Sequence, residues 1–282
     1  MKRLNAGIPV LAVVYISVIL LFSDCKDLLS SEKKDGNAES LLGSAVMYVA
    51  AAGRKGGGSG SFTGDVFLPW EGGSSYYSKW SNGPSSDPDY FPIAVWLQSP
   101  HNADAYRAIG INTFVGLWEG PTEDQLGRLA DRGMPVLCAQ NAAGLGSPSN
   151  PVISAWTHDD EPDNAQADGQ GGYGPPISTA SIVAGYQSMV AADPTRPVFL
   201  NLGQGVAWDG WYGRGVRTGH PEDYAEYIKG ADIISYDIYP VNSRDTAVKD
   251  RLWLVAYGVD RLRRWSNYKK PVWNWIECTD FN

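Results

Sequence analysis

The 282-residue chain is 43% hydrophobic and 19% charged, with a formal net charge of −8 and a pI near 4.9. That composition supports one sizeable core and excludes wholesale disorder. The acidic balance, without clustered Lys or Arg, excludes a nucleic-acid partner and favours a neutral one. The 11 Trp and 15 Tyr are many for this length, and such rings stack on the C–H faces of sugars as well as filling cores.

Lys2 and Arg3 precede an apolar run from Gly7 to Phe22, the pattern of an export signal and short for a membrane span. Residues 1–25 are therefore read as a signal that sends the protein to the cell envelope or out of the cell. Cys25, in LLFSDC, resembles the lipidated Cys of a bacterial lipoprotein signal, although Asp24 departs from the small residue usual before it. Contact with a membrane is expected only through this signal or a lipid on Cys25. Residues 26–61 are rich in Ser, Gly and Lys and read as a flexible tether, interrupted by the apolar stretch Leu41 to Ala52. Residues 62–90 form a lead-in, and residues 91–282 the catalytic domain. Cys138 and Cys278 lack the spacing of a metal site or a disulfide framework.

Beyond the lead-in, short apolar or β-branched runs predict seven strands: Ile93–Leu97, Thr113–Trp118, Pro135–Ala139, Ile153–Thr157, Val198–Leu202, Ile233–Ile238 and Val272–Ile276. Between them lie helical patterns over Asn102–Ile109, Glu123–Arg132 (with a stop at Gly133), Thr179–Ala192, Pro221–Lys229 and Thr246–Trp265. Strands alternating with helices predict an α/β fold with a parallel sheet, either a closed (β/α)8 TIM barrel or an open doubly wound sheet. No Gly-rich phosphate-binding pattern follows any strand, so the usual reason for an open nucleotide-binding sheet is missing. Polar or aromatic residues end nearly every strand, as at the catalytic rim of a barrel. A barrel needs eight strands, so the expected fold is a TIM barrel truncated after strand 7, unless the segment from Phe62 to Tyr90 covers the gap.

Glu161 in ISAWTHDDEPD and Glu277 in PVWNWIECTD both stand at strand ends. Glycosidic bonds are usually broken by two carboxyl groups, one protonating the leaving oxygen and one attacking carbon or activating water, so this pair points to sugar chemistry. The order of elements, with a Glu after the fourth strand and another after the seventh, resembles the clan A retaining glycoside hydrolases. DPTRPVFLN (Asp193 to Asn201) and SYDIYP (Ser235 to Pro240) are similar to their links into, and along, the fifth and sixth strands. The resemblance spans about Phe91 to Asn282 and implies Glu161 as acid/base, Glu277 as nucleophile, and no cofactor. It departs at Asp160, where the clan usually has an Asn that bonds the sugar 2-hydroxyl; an Asp there accepts but cannot donate, and its charge raises the pKa of Glu161. For retention the two carboxyls are expected about 5–5.5 Å apart, against roughly 6.5–9.5 Å for inversion.

Further substrate-binding candidates are Asp160, His158, Asn201, Asp237, Tyr239, Trp275 and Trp118, each on or near a strand end, and Trp208 and Trp211 on the Gly-rich loop from Gly203 to Gly219. Tyr239 or Tyr236 is also placed to orient Glu277. Each has a plainer alternative: core packing for the strand tryptophans, anchoring of the loop to the barrel for Trp208 and Trp211, caps and loop ties for His158, Asn201 and Asp237. The expected function is an exported glycosidase acting on an oligo- or polysaccharide. The alternative is a carbohydrate-binding envelope lipoprotein that uses a barrel without catalysis. A metal-dependent hydrolase built on His158, Asp159 and Asp160 is weakened by the presence of only three His, which is too few for a His-rich centre.

Overall fold

The computed structural model describes residues 15–19, 46–50 and 73–277. Cys25, Cys278 and most of the signal and tether segments lie outside the described residues. Two short strands, β1 (Tyr15–Ile19) and β2 (Val46–Ala50), fall in the two N-terminal apolar stretches and pair antiparallel, Tyr15 opposite Ala50.

The main sheet has seven strands: β3 (Ala94–Trp96), β4 (Thr113–Val115), β5 (Val136–Ala139), β6 (Ile153–Thr157), β7 (Val198–Leu202), β8 (Ile233–Tyr236) and β9 (Val272–Asn274). They are hydrogen-bonded in sequential order and every pair is parallel. Each predicted run thus contains one strand. Among the described residues six α-helices accompany them: α1 (Ala103–Ala108), α2 (Glu123–Ala130), α3 (Ala142–Gly146), α4 (Thr179–Ala192), α5 (Asp223–Tyr227) and α6 (Trp253–Trp265). Among the described residues no helix is long and apolar enough to cross a membrane.

Side chains decide that the sheet is curled. The rings of Trp96, at the end of β3, and Trp275, just past β9, meet edge to face at 4.9 Å. In a flat sheet, six interstrand steps would hold these outer strands about 29 Å apart. Alternate residues point inward, so that Trp96, Val115, Leu137, Ala155, Phe199, Ile233, Trp273 and Trp275 fill the interior. Their neighbours Val95, Phe114, Val136, Cys138, Trp156 and Val198 pack outward beneath α1, α2 and α4. Leu200, Leu202, Ile234, Tyr236 and Val272 do the same beneath α5 and α6. Both faces being covered, the strands read as continuous apolar runs. The result, among the described residues, is a half-barrel of seven parallel strands with helices outside, an α/β fold consistent with a partial TIM barrel.

The helix ends follow their local chemistry. Thr122 and Gln125 form a reciprocal capping box at the start of α2, and Gly133, at φ +58°, ends that region in the left-handed conformation. Ser178 accepts from Ser181 N at 3.1 Å to start α4. The pattern read as a helix from Thr246 begins only at Trp253. Asp245 turns the chain by accepting from Ala247 N at 2.8 Å, and Asp250 sits at φ +60°, which no helix tolerates.

The described part of the lead-in contains a 3-10 helix, Gly73–Lys79, and turns rather than a strand. It is tied to the N-terminal ends of the strands. Trp273 Nε1 donates to Tyr77 Oη at 2.9 Å, Tyr76 Oη donates to Asp232 O at 2.9 Å, and Asn82 N donates to Thr195 O at 3.0 Å. The opposite end of the half-barrel is left to the loops that follow the strands.

Candidate active site

Glu161 follows β6 on a backbone at φ +44°, a conformation that costs a non-glycine residue about 1–2 kcal/mol. Pro162 and the buried Asp163 hold this turn. Asp163 Oδ1 accepts from Gly203 N at 2.8 Å and its Oδ2 from Tyr224 Oη at 2.8 Å, so the loops after β6 and β7 are locked to each other and to α5. Arg214, buried and paired with Asp223 at 2.8 Å, donates to Asp163 O at 3.3 Å.

Four carboxyls gather around this turn. Burial, then the charge of Asp237 and its hydrogen bonding, then the charges of Asp160 and Asp163, raise the pKa of Glu161 well above the ordinary carboxyl value. Enclosure of its inward-turned carboxyl, which meets Asn201, and then the charge of Asp237 push Asp160 up to about 7, while the residue as a whole stands on the exposed rim. Asp163 and Asp237 are raised as well, chiefly by burial. Burial and the mutual repulsion of these carboxyls therefore favour a protonated form within the cluster.

Asn201 organises the cluster. Its Oδ1 accepts from Ser235 Oγ at 2.6 Å and from Trp275 Nε1 at 2.7 Å. With the amide oxygen so occupied, Nδ2 points outward and donates to Asp160 Oδ1 at 2.9 Å and Asp237 Oδ2 at 3.2 Å. Asp237 also interacts with Tyr239, whose hydroxyl pKa is raised by burial and by that carboxyl. The buried Oδ1 of Asp237 takes part in no hydrogen bond of good geometry among the described residues.

Glu277 lies two residues beyond Trp275 and accepts three N–H groups from the loop after β8: Val241 N at 2.7 Å, Asn242 N at 3.0 Å and Asn242 Nδ2 at 3.0 Å. This donor set suits a carboxylate. The groups acting most strongly on Glu161 are Asp237, Asp160 and Asp163 rather than Glu277.

Of the other residues singled out from the sequence, Trp275 is 2% exposed and packs on Trp96 beneath the cluster. Trp208, Trp211 and Tyr212 form one aromatic group on the loop after β7, with ring centroids 4.7 to 6.0 Å apart, and Tyr212 is 67% exposed. Trp118, three residues past β4, is 55% exposed. His158 is not part of the cluster. Its Nε2 pairs with Gly230 O at 2.8 Å and its ring lies against Gly185 of α4, where burial lowers its pKa. Tyr236 points outward, its hydroxyl donating to Leu254 O at 3.0 Å. Among the described residues no group of three His, Cys, Asp or Glu side chains is arranged to hold a metal ion.

Asn164, which the sequence did not single out, donates Nδ2 to Glu161 Oε2 at 2.7 Å and accepts Trp211 Nε1 on Oδ1 at 2.8 Å. Its place three residues after Glu161, in a loop that returns beside it, was the available signal.

No family model matches the chain, and no curated protein matches its sequence. Among solved structures it is similar to a GH2 β-galacturonidase from Eisenbergiella tayi bound to galacturonate. The two share 16% identity with a TM-score of 0.37, over 61% of this chain and 30% of that one. The chain thus spans less than a third of that enzyme's length.

Proposed function

We propose that the protein hydrolyses O-glycosidic bonds of an oligo- or polysaccharide by a two-carboxylate retaining mechanism, as an exported glycosidase related to clan A. The supporting observation is the contrast between two strand-end carboxyls. Glu161 keeps its proton because burial and three neighbouring carboxyls oppose its ionisation, whereas Glu277 accepts three N–H donors. A buried carboxyl whose ionisation is opposed, with a second carboxyl at another strand end held by N–H donors, is the equipment that an acid and a nucleophile require.

In this mechanism Glu161 gives its proton to the glycosidic oxygen as the bond to the anomeric carbon breaks, and a Glu277 oxygen bonds to that carbon. Glu161, now a carboxylate, takes a proton from water as the water oxygen displaces Glu277 and releases the sugar. Asp237 Oδ1, a buried acceptor that makes no hydrogen bond of good geometry among the described residues, receives a sugar hydroxyl. The Trp208, Trp211 and Tyr212 rings carry a neighbouring sugar of the chain. Residues 1–25 direct the protein out of the cytoplasm, with Cys25 as the site of a lipid anchor.

The test is hydrolysis of a broad set of oligo- and polysaccharides by the folded full chain beside Glu161→Gln and Glu277→Gln, with the anomer of the first product read by NMR. Each substitution is expected to lower kcat by about 10²-fold or more, the order a positioned acid or base contributes, and the first product keeps the substrate's configuration. A folded wild type that retains glycans and cleaves none replaces this reading with that of a carbohydrate-binding envelope protein. Inversion moves Glu277 from nucleophile to base.

A further inference from the structure

The aromatic loop is wired to the proton donor. Trp211 Nε1 donates to Asn164 Oδ1 at 2.8 Å, and Asn164 Nδ2 donates to Glu161 Oε2 at 2.7 Å. An indole N–H only donates, so it fixes the amide oxygen toward Trp211 and the amide nitrogen toward Glu161. Oε2 is thereby held as an acceptor and the acidic proton is left to Oε1. The backbone supports the same geometry: Ala165 N donates to Gly213 O at 2.8 Å, and Gln166 Nε2 donates to Asn164 O at 2.7 Å. Gly203 closes the far side. A Cβ there would lie 2.9 Å from Asn164 Oδ1 and 3.0 Å from Glu161 Oε1, so glycine leaves just the room these side chains occupy.

We infer that Asn164 is a positioning residue that orients the Glu161 carboxyl, and that Trp211 locks Asn164, so that a sugar seated on the Trp211–Tyr212 rings is communicated to the proton donor. This rests on the reading of Glu161 as that donor. Tyr212 is the open end of the relay, 67% exposed with its ring 4.7 Å from that of Trp211. The donor is thus oriented by the loop that contacts the substrate, and a chain long enough to reach the aromatic group is turned over better than a single sugar unit.

Two readouts test it. The first needs no turnover: the Trp211 indole N–H resonance of 15N-labelled full chain, assigned with Trp211→Phe, is followed against pH. It is expected to shift as Glu161 ionises and to stop shifting in Glu161→Gln and in Asn164→Ala. A resonance that does not move, or that still titrates in Glu161→Gln, overturns the relay. The second uses whichever sugar the wild type cleaves, presented with a 2,4-dinitrophenyl leaving group and with an unactivated sugar leaving group.

Acid assistance matters only for the poor leaving group, so Asn164→Ala is expected to lose roughly 10- to 100-fold in kcat/KM on the unactivated glycoside, within what a general acid contributes. Loss on the dinitrophenyl glycoside stays within about threefold. Trp211→Phe, which keeps a ring and removes the donor, gives the smaller loss of about 3- to 10-fold expected for one hydrogen bond. Equal losses on both leaving groups make Asn164 merely structural and overturn the positioning role. A folded wild type that cleaves no glycoside while the resonance still follows Glu161 fails the glycosidase reading and, with it, the catalytic part of this inference.

Discussion

Trp275 donates its indole N–H to Asn201 Oδ1 at 2.7 Å from a ring that is itself 2% exposed. A residue well placed by sequence to lie under a sugar instead sets the amide that divides Asp160 from Asp237. Trp275→Phe keeps most of the ring and removes the donor, leaving Ser235 Oγ as the partner of Asn201 Oδ1. The expected cost is about 1 kcal/mol from the lost hydrogen bond. Trp275→Ala, which also opens a cavity against Trp96, costs about 3–5 kcal/mol. Urea unfolding of both variants checks the difference, and equal losses count against the hydrogen-bonded role.

The carboxyl cluster makes the protein less stable as it ionises. Asp160, Glu161 and Asp237 have folded pKa values raised above their ordinary 3.8, 4.5 and 3.8, so the folded state holds protons that the unfolded chain has already released. Their stabilising contribution is full below those ordinary values and is lost as pH rises through the folded ones, about 7 for Asp160. Melting temperature is therefore expected to fall between about pH 6.5 and about pH 8, above the range in which the lowered pKa of His158 acts in the opposite sense, and to fall less in Glu161→Gln. Asp193 and Asp223, lowered by their Arg partners and hydrogen bonds, act in the opposite sense, but only below 3.8. A melting profile that rises across the upper window contradicts the assignment.

Removing the charge of Asp237 relieves Glu161. In Asp237→Asn the pKa of Glu161 moves back toward the ordinary value, because its largest electrostatic neighbour is gone. If Glu161 is the acid, the alkaline limb of the kcat/KM profile shifts to lower pH, since that limb reports loss of the donor proton. An unmoved limb assigns it to another group.

Gly203 offers a change that perturbs chemistry more than folding. Its φ of −83° is open to any residue, yet a Cβ would come within 3.0 Å of Glu161 Oε1 and of the Asn164 amide. These are the far ends of side chains and can yield, so Gly203→Ala is expected to unfold within about 1 kcal/mol of wild type. A displacement of the donor by even 1 Å costs up to about 10²-fold in rate. Gly258→Ala is the contrasting case. The new methyl would fall 2.2 Å from the Tyr236 ring, and the overpacked α6–β8 contact costs about 1–3 kcal/mol. Thermal melts of the two variants side by side separate them.

Strand positions were legible because both sheet faces are buried, so runs such as VFLNL at Val198–Leu202 have no polar face to confuse them. Glu161 was legible for a related reason: strand ends carry polar side chains only where the chain leaves the core. The interior role of Trp275 was not, since period-two alternation says which side a ring faces but not how deep it lies. The partnership of Glu161 with Asp237, and the Trp211–Asn164 link, join residues 76 and 47 positions apart or nearby in space only through the sheet order, which no local pattern encodes. The short helix α3, capped by Asn141 at 2.7 Å to Gly144 N, hides in an Ala–Gly run too brief to show periodicity.

The bond from Trp273 Nε1 to Tyr77 Oη joins positions 196 residues apart. During synthesis Tyr77 leaves the ribosome long before its partner exists, so the base of the half-barrel stays open until β9 arrives. Closure of that end is a late, high-contact-order event, and such contacts slow folding because loop entropy is lost before they form. A ribosome-bound chain stopped short of Trp273 would expose the ring of Tyr77, which is 4% exposed in the finished fold, to chaperones and proteases.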